Sequence, residues 1–184
     1  MMLDRIFAFC ILMIVWPIIF LACLLVLVED GRPIFFIQKR LGKDERPFNM
    51  YKIRSMKTST PQVSSNELAS PEFYVLKVGR YLRKFSIDEL PNLVNILKGE
   101  MVFIGPRPLV ASEFDLQKLR RKYGILDQKP GLTGLAQVNG RDLVTIHEKV
   151  ALERIYKRDK SFWLKVKIIL KTIVIVFRSA GVRF

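Results

Sequence analysis

The chain has 184 residues, enough for one domain with a modest core and too few for two ordinary ones. Its 31 Lys and Arg against 17 Asp and Glu leave a net charge of +14, yet half of the residues are hydrophobic and the mean hydropathy is positive, +0.20. A disordered basic tail is excluded by 13 Phe, 5 Tyr and 2 Trp spread along the chain, so the charge sits on a folded body that meets something anionic: nucleic acid, a lipid surface or phosphorylated substrates.

The first element is apolar. From Ile6 to Val28 no residue is charged, about the length that roughly 20 apolar residues need to cross a 30 Å hydrocarbon core. The flanks, Leu3-Asp4-Arg5 and Glu29-Asp30-Gly31, carry neither the basic start nor the small-residue cleavage site of a signal peptide, so the segment is expected to be retained. Pro17 falls in its middle, removes a helical hydrogen bond and bends the helix. Two readings stay open: a kinked spanning helix with its N-terminus outside, or a re-entrant hairpin whose halves return to one face. Under either, the basic remainder from Glu29 to Phe184 is expected in the cytoplasm. Cys10 and Cys23, the only cysteines, lie in the apolar run without metal or disulfide spacing and read as small hydrophobes.

Beyond Gly31-Arg32-Pro33, Ile34 to Gln38 and Phe48 to Ile53 flank the turn-like Gly42-Lys43-Asp44-Glu45 and predict a β-hairpin. Thr58 to Pro71, rich in Ser, Thr, Pro and Asn, predicts a loop. From Tyr74 onward helical periods dominate. Ser86-Ile87-Asp88-Glu89 and Ser112-Glu113-Phe114-Asp115 resemble helix starts, and Gly99 and Gly124 resemble helix stops. In Lys160 to Ser179 a helical projection gathers Lys160, Lys167, Lys171 and Arg178 on one face, with Trp163, Ile168, Leu170, Ile173 and Phe177 over much of the rest. That pattern suits an amphipathic helix in the membrane interface, each basic residue contributing about 1 kcal/mol toward anionic headgroups, or else a core helix with one solvated stripe. The fold class expected is mainly α with a small β-hairpin, an α+β body.

Walker and dinucleotide-binding glycine loops and Cys/His metal clusters are absent, and the single histidine, His147, reads as a surface residue. What remains is the pair Asp88-Glu89 among Arg80, Arg83, Lys84 and Arg107, carboxylates in a cationic setting that suits phosphate chemistry. The competing reading is a capping box, Ser86-x-x-Glu89, in which Glu89 only satisfies a backbone donor. Gly105-Pro106-Arg107-Pro108 holds an arginine between rigid prolines, and Lys129-Pro130-Gly131-Leu132-Thr133-Gly134 makes a tight loop ahead of Gln137-Val138-Asn139-Gly140-Arg141. Loops that fix a guanidinium suit bidentate phosphate recognition, though ordinary turn chemistry gives the same residues.

Taken in order, Asp4-x-x-x-Ala8, Pro33 through Gly42, Tyr51 through Met56, Ser86 through Pro91, Gly105 through Pro108 and Lys129 through Arg141 resemble the bacterial sugar transferase family, the monotopic phosphoglycosyl transferases. The resemblance runs over nearly the whole chain. It implies that Asp88 is a nucleophile toward the sugar-bearing phosphorus of a UDP-sugar, and that Glu89 holds Mg²⁺. Arg83 and Arg107, then Lys52, Arg54 and Arg141, would bind phosphates. The acceptor implied is undecaprenyl phosphate and the released nucleotide UMP, the first membrane step of a bacterial glycoconjugate pathway. The resemblance also implies a re-entrant helix over residues 1–28, broken at Pro17, and a catalytic domain over 29–184 resting on the cytoplasmic face of the inner membrane, with a phospholipid membrane and no nucleic acid as its surroundings. Homodimer formation is left open. Leu135 departs from the tryptophan frequent at that position in relatives. The rival readings are a membrane-tethered basic binding or scaffold protein without catalysis, and a plain glycosyl transferase that releases UDP.

Overall fold

The computed structural model describes residues 2–61, 71–140 and 144–178. Helix α1 runs from Met2 to Asp30, 29 residues and about 43 Å at the usual rise per residue. The helix is not interrupted at Pro17: the break expected there is a lost hydrogen bond within continuous helical backbone. Strands β1 (Phe35–Leu41) and β2 (Pro47–Ile53) pair antiparallel, with Phe35 opposite Ile53 and Leu41 opposite Pro47, as the hairpin pattern predicts. Then follow α2 (Pro71–Tyr74), α3 (Lys77–Lys84), a 3-10 turn (Ile87–Glu89), α4 (Asn92–Lys98), β3 (Val102–Ile104), α5 (Phe114–Lys122), β4 (Gly131–Thr133), α6 (Ile146–Arg158) and α7 (Phe162–Arg178). Gly99 ends α4 with φ 81°, and Gly124 follows α5 with φ 63°, the left-handed values that favour glycine at helix ends.

One addition to the expected fold is a parallel pairing of β3 with β4, Val102 opposite Gly131 and Ile104 opposite Thr133. The backbones approach closely. A Cβ on Gly131 would lie 2.1 Å from the Gly105 nitrogen, so glycine is required there.

Helix α1 lies along the body over its whole length. Ala8 packs with Phe48, Met50, Leu93, Ile96 and Met101, while Ile19, Ala22 and Val26 pack with Ile53, Leu76 and Leu82. Burying aliphatics such as Leu93 and Ile96 stabilises the contact by about 1.5–3 kcal/mol each. Polar bonds fix both ends. Arg5 Nη2 donates to the Lys98 carbonyl (3.1 Å), and the Glu29 carboxylate accepts from the Lys77 and Val78 N–H groups (2.6 and 2.9 Å), an anion at the start of α3. Both ends of the apolar helix thus rest on the same body. Its outer face, including Phe9, Met13, Ile14 and Trp16, is exposed.

Two smaller cores complete the body: Leu109, Leu116, Ile125 and Val150 between α5 and α6, and Val138, Tyr156 and Ile168 between α6 and α7. Leu135 packs into the second. In α7 only Ile168 is fully buried, while Trp163, Leu170, Ile173, Val174 and Phe177 are exposed. The helix is seated by Ile168 with the partly buried Leu164 and Ile175 and by the Thr172–Thr133 hydroxyl bond (2.7 Å), and it leaves apolar residues exposed, the arrangement of an interfacial helix.

Candidate active site

Helix α3 stops at Lys84 and the chain reverses at Ser86, which sits in the left-handed region at φ 55°. The reversal presents the 3-10 turn that carries Asp88 and Glu89. The capping box expected as an alternative does not form, because the Ser86 side chain caps nothing. The Glu89 carboxylate instead meets Lys52 of β2, Nζ to Oε1 at 2.7 Å.

Asn95 aligns β2 with this turn. Its side chain is fully buried, accepts from the Tyr51 N–H (3.3 Å) and donates to the Asn49 carbonyl and the Glu100 carboxylate (2.7 Å each). Strand β2 is thereby pinned to α4, immediately after the turn that carries Asp88 and Glu89. Lys52 can then reach Glu89.

Asp88 is buried, 7% exposed, and its carboxyl is pushed up to about 6 by that burial first and by the Glu89 charge second, while Lys52 and Arg83 pull the other way. A carboxylate held near neutrality inside a cationic ring is a functional-site signal with a stated cause. Arg83, in the last turn of α3, keeps Nη1 buried with no hydrogen-bond acceptor in the protein, a donor suited to an anionic ligand. Arg107 is exposed between two buried prolines.

These residues share one open groove of about 1450 Å³, lined by Lys52, Arg83, Asp88, Glu89 and Arg107. The same groove is lined by Leu3, Phe7 and Ile11 of α1 and by Val166, Ile169 and Ile173 of α7. A charged set suited to phosphate and the apolar faces of α1 and α7 therefore border one space, which fits an amphiphile with a phosphate head.

Five of the seven predicted site residues come together. Arg54 does not: it is 5% exposed, donates through Nη2 to the Asp30 and Gly31 carbonyls (2.9 and 2.8 Å) and pairs through Nη1 with the Asp30 carboxylate (3.2 Å). Its charge anchors the end of α1. Arg141 lies outside the described residues. Arg40, which the sequence did not single out, lines a small recess with Lys52, Glu89 and Arg107. Burial lowers it to about 10, so it stays charged at neutral pH. No sequence signal separates a buried arginine from the many solvated ones here. His147 is exposed, as predicted.

Among the described residues no group of three or more His, Cys, Asp or Glu could hold a metal by itself. The donor set fits a hard divalent cation held jointly by one carboxylate and substrate phosphate oxygens, the usual arrangement for Mg²⁺.

EpsL of Bacillus subtilis, an uncharacterized sugar transferase, is 39% identical over 168 residues, which cover 90% of this chain and 81% of EpsL. The exopolysaccharide production protein ExoY of Sinorhizobium fredii is 35% identical, with 97% and 85% covered. The UDP-glucose:undecaprenyl-phosphate glucose-1-phosphate transferase of Escherichia coli is 34% identical over 92% of this chain, which spans only 38% of that protein. Residues 1–179 match the bacterial sugar transferase model, and the chain belongs to that family.

Proposed function

We propose that this protein transfers a sugar 1-phosphate from a UDP-sugar to undecaprenyl phosphate and releases UMP. The observation that carries the reading is the buried Asp88 beside Glu89, faced by Lys52, Arg83 and Arg107 in a groove shared with the apolar faces of α1 and α7. The name of the Escherichia coli relative describes the same transfer from UDP-glucose.

In the first step a carboxylate oxygen of Asp88 attacks the sugar-bearing phosphorus. The bond to the bridging oxygen breaks, and UMP leaves with its electron pair. A phosphate oxygen of the lipid then attacks the same phosphorus, breaks the aspartyl bond and restores the free carboxylate, giving a polyprenyl diphosphosugar. A carboxylate approaching a phosphate charge at 4 Å meets about 4 kcal/mol of repulsion at an effective dielectric near 20. Arg83 and Arg107 offset that charge, and Lys52 holds Glu89 in place. Glu89 is the residue that would hold Mg²⁺, which when bound supplies Lewis-acid stabilisation of the diphosphate oxygens.

The proposal places the body on the cytoplasmic face of the inner membrane with α1 embedded from that side, since both of its ends rest on one body. The test is nucleotide release by protein in nanodiscs given Mg²⁺, undecaprenyl phosphate and a panel of UDP-sugars, beside Asp88→Asn. UMP from wild type alone is the expected result. UDP would identify plain glycosyl transfer, and polymer production that persists in Asp88→Asn cells would identify a scaffold.

A further inference from the structure

Proline has no N–H, so the backbone of Pro106-Arg107-Pro108 is tied down chiefly through its carbonyls. All four carbonyls from Pro106 to Leu109 accept a hydrogen bond. Gly131 N–H of β4 reaches Pro106 (2.8 Å) and Leu41 N–H of β1 reaches Leu109 (2.9 Å). The other two donors are arginines: Arg120 Nη1 to Arg107 (2.8 Å) and Arg40 Nη1 to Pro108 (3.2 Å). Both arginines are buried, Arg120 at 3% exposure.

Arg120 belongs to α5 and is paired with Glu153 of α6, Nε donating to Oε2 (2.8 Å) and Nη2 to Oε1. Glu153 is likewise 3% exposed. Both carboxylate oxygens are engaged, and Nη1 is left directed at the Arg107 carbonyl. A buried ion pair is poor evidence of a stabilising role, because apolar residues of similar volume often do as well. Donating to the Arg107 carbonyl is something an apolar pair cannot do.

We propose that Arg120 and Glu153 are positioning residues for Arg107. Glu153 fixes the guanidinium of Arg120, Arg120 fixes the carbonyl of Arg107, and the exposed Arg107 side chain is thereby aimed into the groove. This rests on the reading of Arg107 as a phosphate contact.

The test replaces the pair by apolar residues, Arg120→Met with Glu153→Leu, in wild-type and Arg107→Ala backgrounds. It measures melting temperature, UDP affinity by calorimetry, and kcat/KM for UMP release. The expected result is a folded protein whose UDP affinity and kcat/KM fall about 10- to 100-fold, the scale of a misplaced binding group. In the Arg107→Ala background the same replacement costs less than about twofold, because the two changes act through one contact. Arg120→Lys alone, which keeps the charge but not the fork geometry, reproduces the loss and carries the comparison if the apolar pair fails to fold. Retained affinity and rate in the folded apolar variant, or an equal loss in both backgrounds, would overturn the proposal. A wild type that binds UDP but releases no UMP overturns the proposed reaction while the affinity cycle still decides the positioning role, and one that does not bind UDP overturns both.

Discussion

Replacing Asp88, the proposed nucleophile, should make the protein more stable while abolishing transfer. The Asp88 carboxyl rises from 3.8 to about 6, chiefly through burial. At roughly 1.4 kcal/mol per pK unit, keeping it charged costs the folded state about 3 kcal/mol. The sign follows from proton binding. Between pH 3.8 and about 6 the folded protein keeps a proton that the unfolded chain releases, so wild-type stability falls as pH rises through that window and levels off above it. Asn has nearly the same shape and no charge, so Asp88→Asn escapes the cost. Its advantage is absent below the unfolded pKa and complete above the folded one.

For a chain of this size about 3 kcal/mol corresponds to roughly 6–12 °C in Tm. The assay is thermal unfolding of wild type and Asp88→Asn in the same nanodiscs at pH 4.5 and pH 8, with UMP release measured in parallel. The expected outcome is an inactive variant that melts several degrees higher at pH 8 and by only about a third of that margin at pH 4.5, where the unfolded carboxyl is already mostly ionised. A variant no more stable than wild type at pH 8, or equally advantaged at both pH values, would refute the assignment of the raised pKa to burial of this carboxylate.

The same titration sets the rate. As pH falls below about 6, kcat/KM for UMP release should drop close to tenfold per unit, read from initial rates across pH 5 to 8. Arg54→Ala should act on α1 and not on phosphate: loss of the pair with Asp30 and of two carbonyl bonds costs about 1–3 kcal/mol in chemical denaturation, with UDP affinity within about twofold of wild type. Gly131→Ala should cost about 1–3 kcal/mol or more, because the new methyl meets the Gly105 nitrogen and Thr133 oxygen at 2.1 and 2.4 Å. It should also weaken UDP binding, since Gly131 N–H holds the Pro106 carbonyl beside Arg107.

The features legible in the sequence are those decided by near neighbours along the chain. The apolar run, the hairpin around Gly42 to Glu45 and the glycines that end helices all follow from local patterns, and all stand in the structure. The β3–β4 pair was not legible, because two three-residue strands with 26 residues between them carry no periodicity. Residues 86–89 and 145–148 illustrate why the site itself is harder to read. Both have a hydroxyl residue three positions before a glutamate. Thr145 and Glu148 form the reciprocal capping box that this spacing predicts. Ser86 cannot, because it sits at φ 55° after α3, and Lys52, 37 residues away, claims the Glu89 carboxylate. Lys52 and Arg54 divide for a similar reason: β2 ends at Ile53, so the alternation that aims Lys52 at Glu89 no longer governs Arg54, which leaves the sheet to hold the end of α1. A carboxylate of the proposed site and a cap, or a lysine that holds that carboxylate and an arginine that anchors a helix, share one local pattern, and the tertiary partner decides between them.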